Sequence, residues 1–417
     1  MSDVPLSGAL LRDTAASPRW LSIVGIGEDG VDGLSPVARG LIGAAEIVFG
    51  GRRHLALAAP LIRGATRPWP SPFEHAAEEV LHQRRRQVCV LASGDPFQYG
   101  VGAVLARHID AGEMTVVPAP SAFSLAAARL GWSLPQTVLL SLHGRTLDLI
   151  RPHLQPGARI LVLTADGEGP AAVAELLAQA GFGGSRLTVL EALGGPRERI
   201  SSTTAAAFDL GTVGPLNTLA IEAEAAADAR VLALTPGLPD NLFEHDGQIT
   251  KREIRAITLS SLAPRRGERL WDIGAGAGSV AIEWLLADPM MRAIAIERQA
   301  DRAARIRRNA AAFGVPGLEI VEAAAPAALA GLATPDAVFV GGGGEAAVLD
   351  AATRALRPGG RLVANAVTLE TEALLLARHA ALGGDLIRIA VSRAGSIGEK
   401  TGWRAAMPVT QWTWTKP

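Results

Sequence analysis

Residues Leu270 to Trp284 read LWDIGAGAGSVAIEW. An apolar strand, RLWDI, carries Asp272 into a turn with glycines at 274, 276 and 278, and a helical run, SVAIEWLLA, leaves it. Glycine lets the backbone turn tightly and lets a ligand lie against the main chain. A dinucleotide-binding turn needs glycine or alanine three places after its second glycine. That place holds Ser279, so the nicotinamide pattern fails. Asp272 sits badly beside a pyrophosphate and suits a ligand with positive charge near the turn, such as an ammonium or a sulfonium. The next strand ends at Glu297, close to the roughly 20-residue offset at which a carboxylate grips ribose hydroxyls.

The rest of the chain sets the bounds. Its 417 residues predict two to four domains. Hydrophobic residues make up 48%, so a large core is available and disorder is excluded as the main state. With 40 basic and 41 acidic residues the net charge is -1, which argues against a nucleic-acid partner. No apolar run approaches the roughly 18 to 20 residues that span a bilayer, and the opening residues do not read as a signal peptide. The single cysteine, Cys89, lies in the apolar run VCVLA and reads as an inert core thiol. The expectation is a soluble cytoplasmic protein.

Residues 1–18 read as a flexible tail. From there short branched runs (WLSIVGIG, QVCVLASGDP, MTVVPAPS, TVLLSLHG, RILVLTAD, RLTVLEAL, NTLAIEAE) alternate with Ala-rich helical stretches such as VGAVLARHI, AFSLAAARL and PAAVAELLAQA. That alternation predicts an α/β architecture with mostly parallel sheets. Residues 19–235 form one domain of two α/β lobes with a break near 112–120. Near residue 235 the texture changes to TPGLPDNLFEHDGQ, so 236–248 read as a linker and a loop leading inward. Residues 249–417 form a second α/β domain. It opens with a helix for which Thr250 is the expected N-cap, with Glu253 at capping-box spacing.

These residues carry a resemblance. Through LPDNLFEHDGQITKREIRAITL, LWDIGAGAGSVAIEW, IAIERQADRAARIRRNAAAFGV, PDAVFVGGGG and LRPGGRLVANAVTLET, the second half resembles the class I, Rossmann-like S-adenosylmethionine methyltransferases. The resemblance implies cofactor contacts at Thr250, Asp272, Gly274, Ala275, Gly276, Ala277, Gly278, Glu297, Ala324 and Ala325. It places Gly341 to Gly344 and Asn365 toward the reacting carbon. Through VGIGEDGVDGLSPVARGLIGAAEIVFGGRRHL, ASGDPFQYGVGAVL and VPAPSAFSLAAARLGW, the first half resembles the tetrapyrrole methylases, the class III methyltransferases. In that fold the cofactor lies between two lobes, which implies contacts at Gly25, Gly27, Ser93, Gly94, Asp95, Ser121, Ala122 and His143. Many members carry Gly-Pro-Gly-Asp-Pro in the first loop, whereas this chain has Gly27-Glu28-Asp29-Gly30. Two such domains in one chain resemble the corrin-ring methyltransferases of cobalamin biosynthesis. The implied reaction adds methyl groups at meso carbons 5 and 15 of a precorrin and removes carbon dioxide from the ring C acetate. It also implies one S-adenosylmethionine per domain and a homo-oligomer.

The chemistry narrows the candidates. A meso carbon between reduced pyrroles is enamine-like, so methyl transfer asks for alignment more than for a strong base. Decarboxylation asks for an apolar pocket and an acid to return the proton. The candidates are Asp240, Glu244 and His245, with Asp246 and Glu345 beside them. A substrate rich in carboxylates calls for arginines, and Arg52, Arg53, Arg145, Arg393, Lys400 and Arg404 are placed for it. The eight histidines are scattered, so no metal is expected. Trp403, Trp412 and Trp414 near the end read as packing aromatics. Two alternatives stay open: an RNA or protein methyltransferase with a non-catalytic N-terminal module, and a cofactor-sensing scaffold with dead sites. Amine methylation commonly uses an Asn/Asp-Pro-Pro-aromatic loop, and PDAVFVGGGG stands in that place.

Overall fold

The computed structural model describes residues 19–71 and 73–417, and the tail expected over 1–18 lies outside them. Contacts divide the chain into two compact units. One runs to Arg145 and resumes over Pro156–Ala229; the other takes Thr146–Gln155 and Arg230–Pro417.

The first unit holds two sheets. One has the order β3 (Ala65–Pro68), β2 (Ile47–Gly50), β4 (Val88–Ser93), β1 (Leu21–Ile26), β5 (Met114–Val117), every pair parallel. Its inner strands are buried on both faces, which is why they read as near-continuous apolar runs. Cys89 lies in β4, fully buried, and burial pushes its thiol up to about 12. The other sheet has the order β6 (Val138–Ser141), β7 (Arg159–Leu163), β10 (Asn217–Glu222), β8 (Arg186–Glu191), β9 (Arg199–Thr204). Only β6 and β7 pair in parallel; the other three pairings are antiparallel. The expectation of mostly parallel sheets holds for the first sheet and fails for this one. The connection from β8 to β9 is too short for a parallel crossover, which needs a dozen residues or more. The edge strand β9, RISSTT, is polar and largely exposed, so it carries no apolar signature.

The second unit holds a seven-stranded sheet. Its order is β13 (Glu319–Val321), β12 (Arg292–Ile296), β11 (Arg269–Ile273), β14 (Ala337–Val340), β15 (Arg361–Ala366), β19 (Val409–Thr415), β16 (Asp385–Ile389). The first five run parallel, and β19 pairs antiparallel with both β15 and β16. A separate hairpin joins β17 (Ser392–Ile397) to β18 (Lys400–Ala405). The terminal tryptophans divide between these elements. Trp412 and Trp414 stack at 6.3 Å inside the sheet, whereas Trp403 on the hairpin is 76% exposed.

The expected capping box is absent. The helix is Arg252–Leu262, Lys251 stands at its N-cap and no side chain caps it. Thr250 instead offers its carbonyl to the Arg255 guanidinium, and Glu253 pairs with Arg393. Arg255 is fully buried, and its guanidinium is met by Glu283, Asp240 and the Leu238 and Thr250 carbonyls.

Candidate functional sites

In the second unit a cavity of about 510 Å³ opens at the C-terminal ends of the parallel strands, where open α/β sheets bind ligands. The loop after β11 supplies Gly274, Ala275 and Gly276, β12 leads to Glu297, and β13 leads to Ala324 and Ala325. Gly341 to Gly343, Asn365 and Thr250 also line the cavity, whereas Gly344, expected beside them, does not. Gly274 has φ +69, and a Cβ there would lie 2.5 Å from the Gly342 carbonyl oxygen. Only glycine lets these two loops meet. Glu297 is nearly buried, and its carboxylate accepts the Gly276 and Gln299 amides, each at 3.0 Å. A backbone without side chains at 274 and 276, beside a held carboxylate, fits the adenosine and amino-acid parts of S-adenosylmethionine.

Asp272, Ala277 and Gly278 stand behind this loop rather than in the lining. Asp272 is 1% exposed; one oxygen accepts the Ala281 amide at 3.1 Å and the other has no partner. Burial pushes its carboxyl up to about 7; the Ala281 amide opposes the shift and the Glu297 charge adds to it. Asp272 thus stabilises the start of the helix Ser279–Leu286 and does not touch the cavity. The Ala277 carbonyl accepts from Asn309 at 2.9 Å, and Gly278 packs on Ile306.

The candidate acids separate. Asp240, Glu244 and His245 lie outside the lining. Asp240 is 3.1 Å from Arg255, Glu244 meets Arg308 at 2.9 Å, and the His245 Nδ1 accepts the Gly247 amide at 3.1 Å. Asp246 is held well below the usual carboxylate range, first by Arg302 and then by the Gln248 amide. Glu345 does line the cavity, as does Arg393. Lys400 and Arg404 lie on the exposed hairpin, outside the lining.

In the first unit a cavity of about 890 Å³ is lined from both sheets. Gly27, Ser93, Gly94, Ser121, Ala122 and His143, expected as cofactor contacts, line it. Gly25 and Asp95 support it from behind. A Cβ on Gly25 would lie 1.9 Å from the Gly94 carbonyl oxygen, so the first two loops touch there. Asp95 accepts the Phe97 amide at 2.8 Å and shapes the turn. Ser121 caps the helix Ala122–Leu130.

One histidine was missed, His54, which joins Arg53 and Ser93. Arg53 pairs with Glu28 and also meets the His54 Nε2 and the Ser93 hydroxyl, each at 2.9 Å, while His54 and Ser93 lie 2.8 Å apart. Burial, and then the Arg53 charge, push His54 down to about 4 against the pull of Glu28, so it is neutral at pH 7. The consecutive Arg52-Arg53-His54 was the available signal; Arg52 stays out of the lining while Arg53 and His54 enter it. Tyr99 also lines this cavity, at φ +57, with its hydroxyl donating to the Leu139 carbonyl and Arg145 over its ring at 5.6 Å. Among the described residues no group of His, Cys, Asp or Glu is set to hold a metal ion.

Comparison with known proteins agrees in both halves. Residues 21–209 match the Tetrapyrrole (Corrin/Porphyrin) Methylases, and residues 241–416 match the Precorrin methyltransferase domain. A Precorrin-6Y C(5,15)-methyltransferase (decarboxylating) of Sinorhizobium sp is 62% identical over 398 residues, 95% of this chain and 96% of its own length. The Mycobacterium tuberculosis (strain CDC 1551 / Oshkosh) protein of the same name is 41% identical over 400 residues, 94% of this chain and 99% of its own. The solved C-terminal domain of the Rhodobacter capsulatus precorrin-6Y C5,15-methyltransferase is 51% identical and covers 44% of this chain and 100% of its own, at a TM-score of 0.43.

Proposed function

The chain belongs to the decarboxylating precorrin-6Y C(5,15)-methyltransferases, and from that premise we propose that its two cavities each hold one S-adenosylmethionine. The enzyme methylates a precorrin at meso carbons 5 and 15 and removes carbon dioxide from the ring C acetate, a step of cobalamin biosynthesis. We assign carbon 5 to the first unit and carbon 15 with the decarboxylation to the second. The observation that carries the assignment of two sites is the pair of separate glycine-walled cavities, one in each unit. The RNA or protein reading has no support.

S-adenosylmethionine supplies, when bound, a methyl group on a positively charged sulfur. The chain's own residues do the rest by placement. Gly274 and Gly276 leave room for the cofactor against the backbone, and Glu297 offers its carboxylate to the ribose. Ile273, Ile296, Phe339 and Val409 make an apolar wall around the second cavity. Such a wall raises the free energy of a carboxylate that reaches it unpaired. Glu345 is the lining acid we assign to return the proton after carbon dioxide leaves. In the first cavity Arg53 and Arg145 face a substrate rich in carboxylates.

No helix of the described residues is long and apolar enough to cross a membrane, and the proposal places the reaction in the cytoplasm. It also includes self-association, supported by exposed Ile397 and Trp403 on the hairpin. The test is the mass of the tetrapyrrole after incubating reduced precorrin-6 with the protein and S-adenosylmethionine. A gain of two methylenes with loss of one carbon dioxide is expected. An unchanged tetrapyrrole would sink the assignment.

A further inference from the structure

Asn365 on β15 and Gln411 on β19 stand directly opposite each other in the antiparallel register, 46 residues apart in the chain. Above them lies the helix Arg252–Leu262 with Thr258 and Ser261. The four side chains form one hydrogen-bonded group. The Gln411 Nε2 donates to the Asn365 Oδ1 at 2.9 Å and to the Thr258 Oγ1 at 3.1 Å. The Ser261 hydroxyl donates to the Gln411 Oε1 at 2.9 Å, and the Asn365 Nδ2 donates to the Thr258 Oγ1 at 3.0 Å. Thr258 and Gln411 are fully buried, whereas Asn365 reaches the lining of the second cavity.

Donor counting favours one setting of the Asn365 amide. Both Gln411 N–H groups are used, and the two Thr258 lone pairs accept one N–H from each amide. Turning both amides over would still pair the two amides with each other, but the single Thr258 hydroxyl proton could serve only one of the two oxygens then facing it, and one N–H of the buried Gln411 would lose its acceptor. In the observed arrangement Asn365 has its oxygen engaged by Gln411, one N–H engaged by Thr258 and one N–H unspent. We propose that this N–H is a receptor for a carboxylate oxygen in the second cavity, and that Gln411 and Thr258 are the positioning residues that keep the donor, rather than the oxygen, turned toward the ligand. The proposal rests on the functional reading above, which brings two carboxylate sources to this cavity: the side chains of the tetrapyrrole and the amino-acid end of the cofactor. The acceptor is a carboxylate that stays. A donor on the departing group would stabilise its charge in the ground state and slow the loss of carbon dioxide.

The test uses the full chain with Asn365→Leu, Asn365→Asp, Gln411→Met, and Asn365→Leu combined with Gln411→Met. Thermal melting verifies that each variant is folded. Two quantities are read: KM for the tetrapyrrole in carbon dioxide release, and Kd for S-adenosylhomocysteine by calorimetry. Gln411→Met is expected to weaken one of them about tenfold, the weight of a hydrogen bond to a charged group. Asn365→Asp is expected to weaken the same quantity further by setting like charges together. In the Asn365→Leu background Gln411→Met should add nothing. A rise in KM alone assigns the carboxylate to the tetrapyrrole, and an equal rise in the cofactor Kd assigns it to the cofactor. The proposal is overturned if Gln411→Met changes neither quantity, if its effect adds in full to that of Asn365→Leu, or if Asn365→Asp binds as tightly as the unaltered chain. Failure of the unaltered chain to release carbon dioxide would instead defeat the functional reading. Direct titration with the tetrapyrrole would then replace KM in the same comparison.

Discussion

Asp272 is a carboxyl group with almost no company. Its single hydrogen bond is to the Ala281 amide, and burial, opposed by that amide and helped by Glu297, pushes its pKa up to about 7. In an unfolded chain the same group titrates near 4. A raised native pKa means that the folded state holds the proton more tightly. The group therefore favours the fold at low pH, and that contribution is lost as pH rises from about 4 to about 7. Asp272→Asn abolishes the titration. The melting temperature of the variant minus that of the unaltered chain should climb through this window and level off above it; a flat difference would refute the assignment. The residue was legible in the sequence as the acid before a glycine turn, but its task was not. The strand–turn–helix pattern placed Asp272 near a ligand, whereas the packed helix Ser279–Leu286 supplied an amide that claims it first.

Elements bring a second kind of interaction into view. The helices Arg252–Leu262 and Ser279–Leu286 are tied by Arg255 and Glu283, both buried, with Nε and Oε1 2.5 Å apart. Glu283 also accepts the Gly237 and Leu238 amides at 2.7 and 3.0 Å, and Arg255 reaches the Leu238 and Thr250 carbonyls. One ion pair thus anchors the segment that runs into the second cavity through Thr250. Removing Arg255 leaves the Glu283 charge buried with no cation beside it, a cost of about 3–5 kcal/mol. Denaturant unfolding of Arg255→Met should show a loss of that size. Arg255→Met with Glu283→Leu should recover part of it, since the Gly237 and Leu238 amides stay unpaired. Equal losses in the single and double variants would contradict this. The capping box fails by register: Lys251 rather than Thr250 stands at the N-cap, so Glu253 falls at the second helical position and pairs with Arg393 instead. Apolar strands were legible because both of their faces are buried. Strand direction in the sheet of β6 to β10 was not, because it depends on which distant strands pair.

Among the described residues each unit holds a cavity at which glycines let neighbouring loops touch, and the proposed function puts one cofactor in each. Calorimetric titration with S-adenosylhomocysteine is expected to give two sites per chain. Gly25→Ala should remove the site in the first unit, because its Cβ would lie 1.9 Å from the Gly94 carbonyl oxygen. Gly274→Ala should remove the other, and the two together should leave none. A single site in the unaltered chain would refute the symmetry. The sequence by itself determined that there are two α/β parts, that each carries glycine-rich loops after its strands, and that Glu297 stands at the end of β12. These are local properties: a strand, a tight turn and a following helix are written in consecutive residues. Only the tertiary structure decided that Asp240, Glu244 and His245 lie outside the lining of the second cavity, that His54 joins Arg53 in the lining of the first, and that Asn365 is held by Gln411. A side chain's task is set by the partner that reaches it first, and in a folded chain that partner comes from a distant part of the sequence.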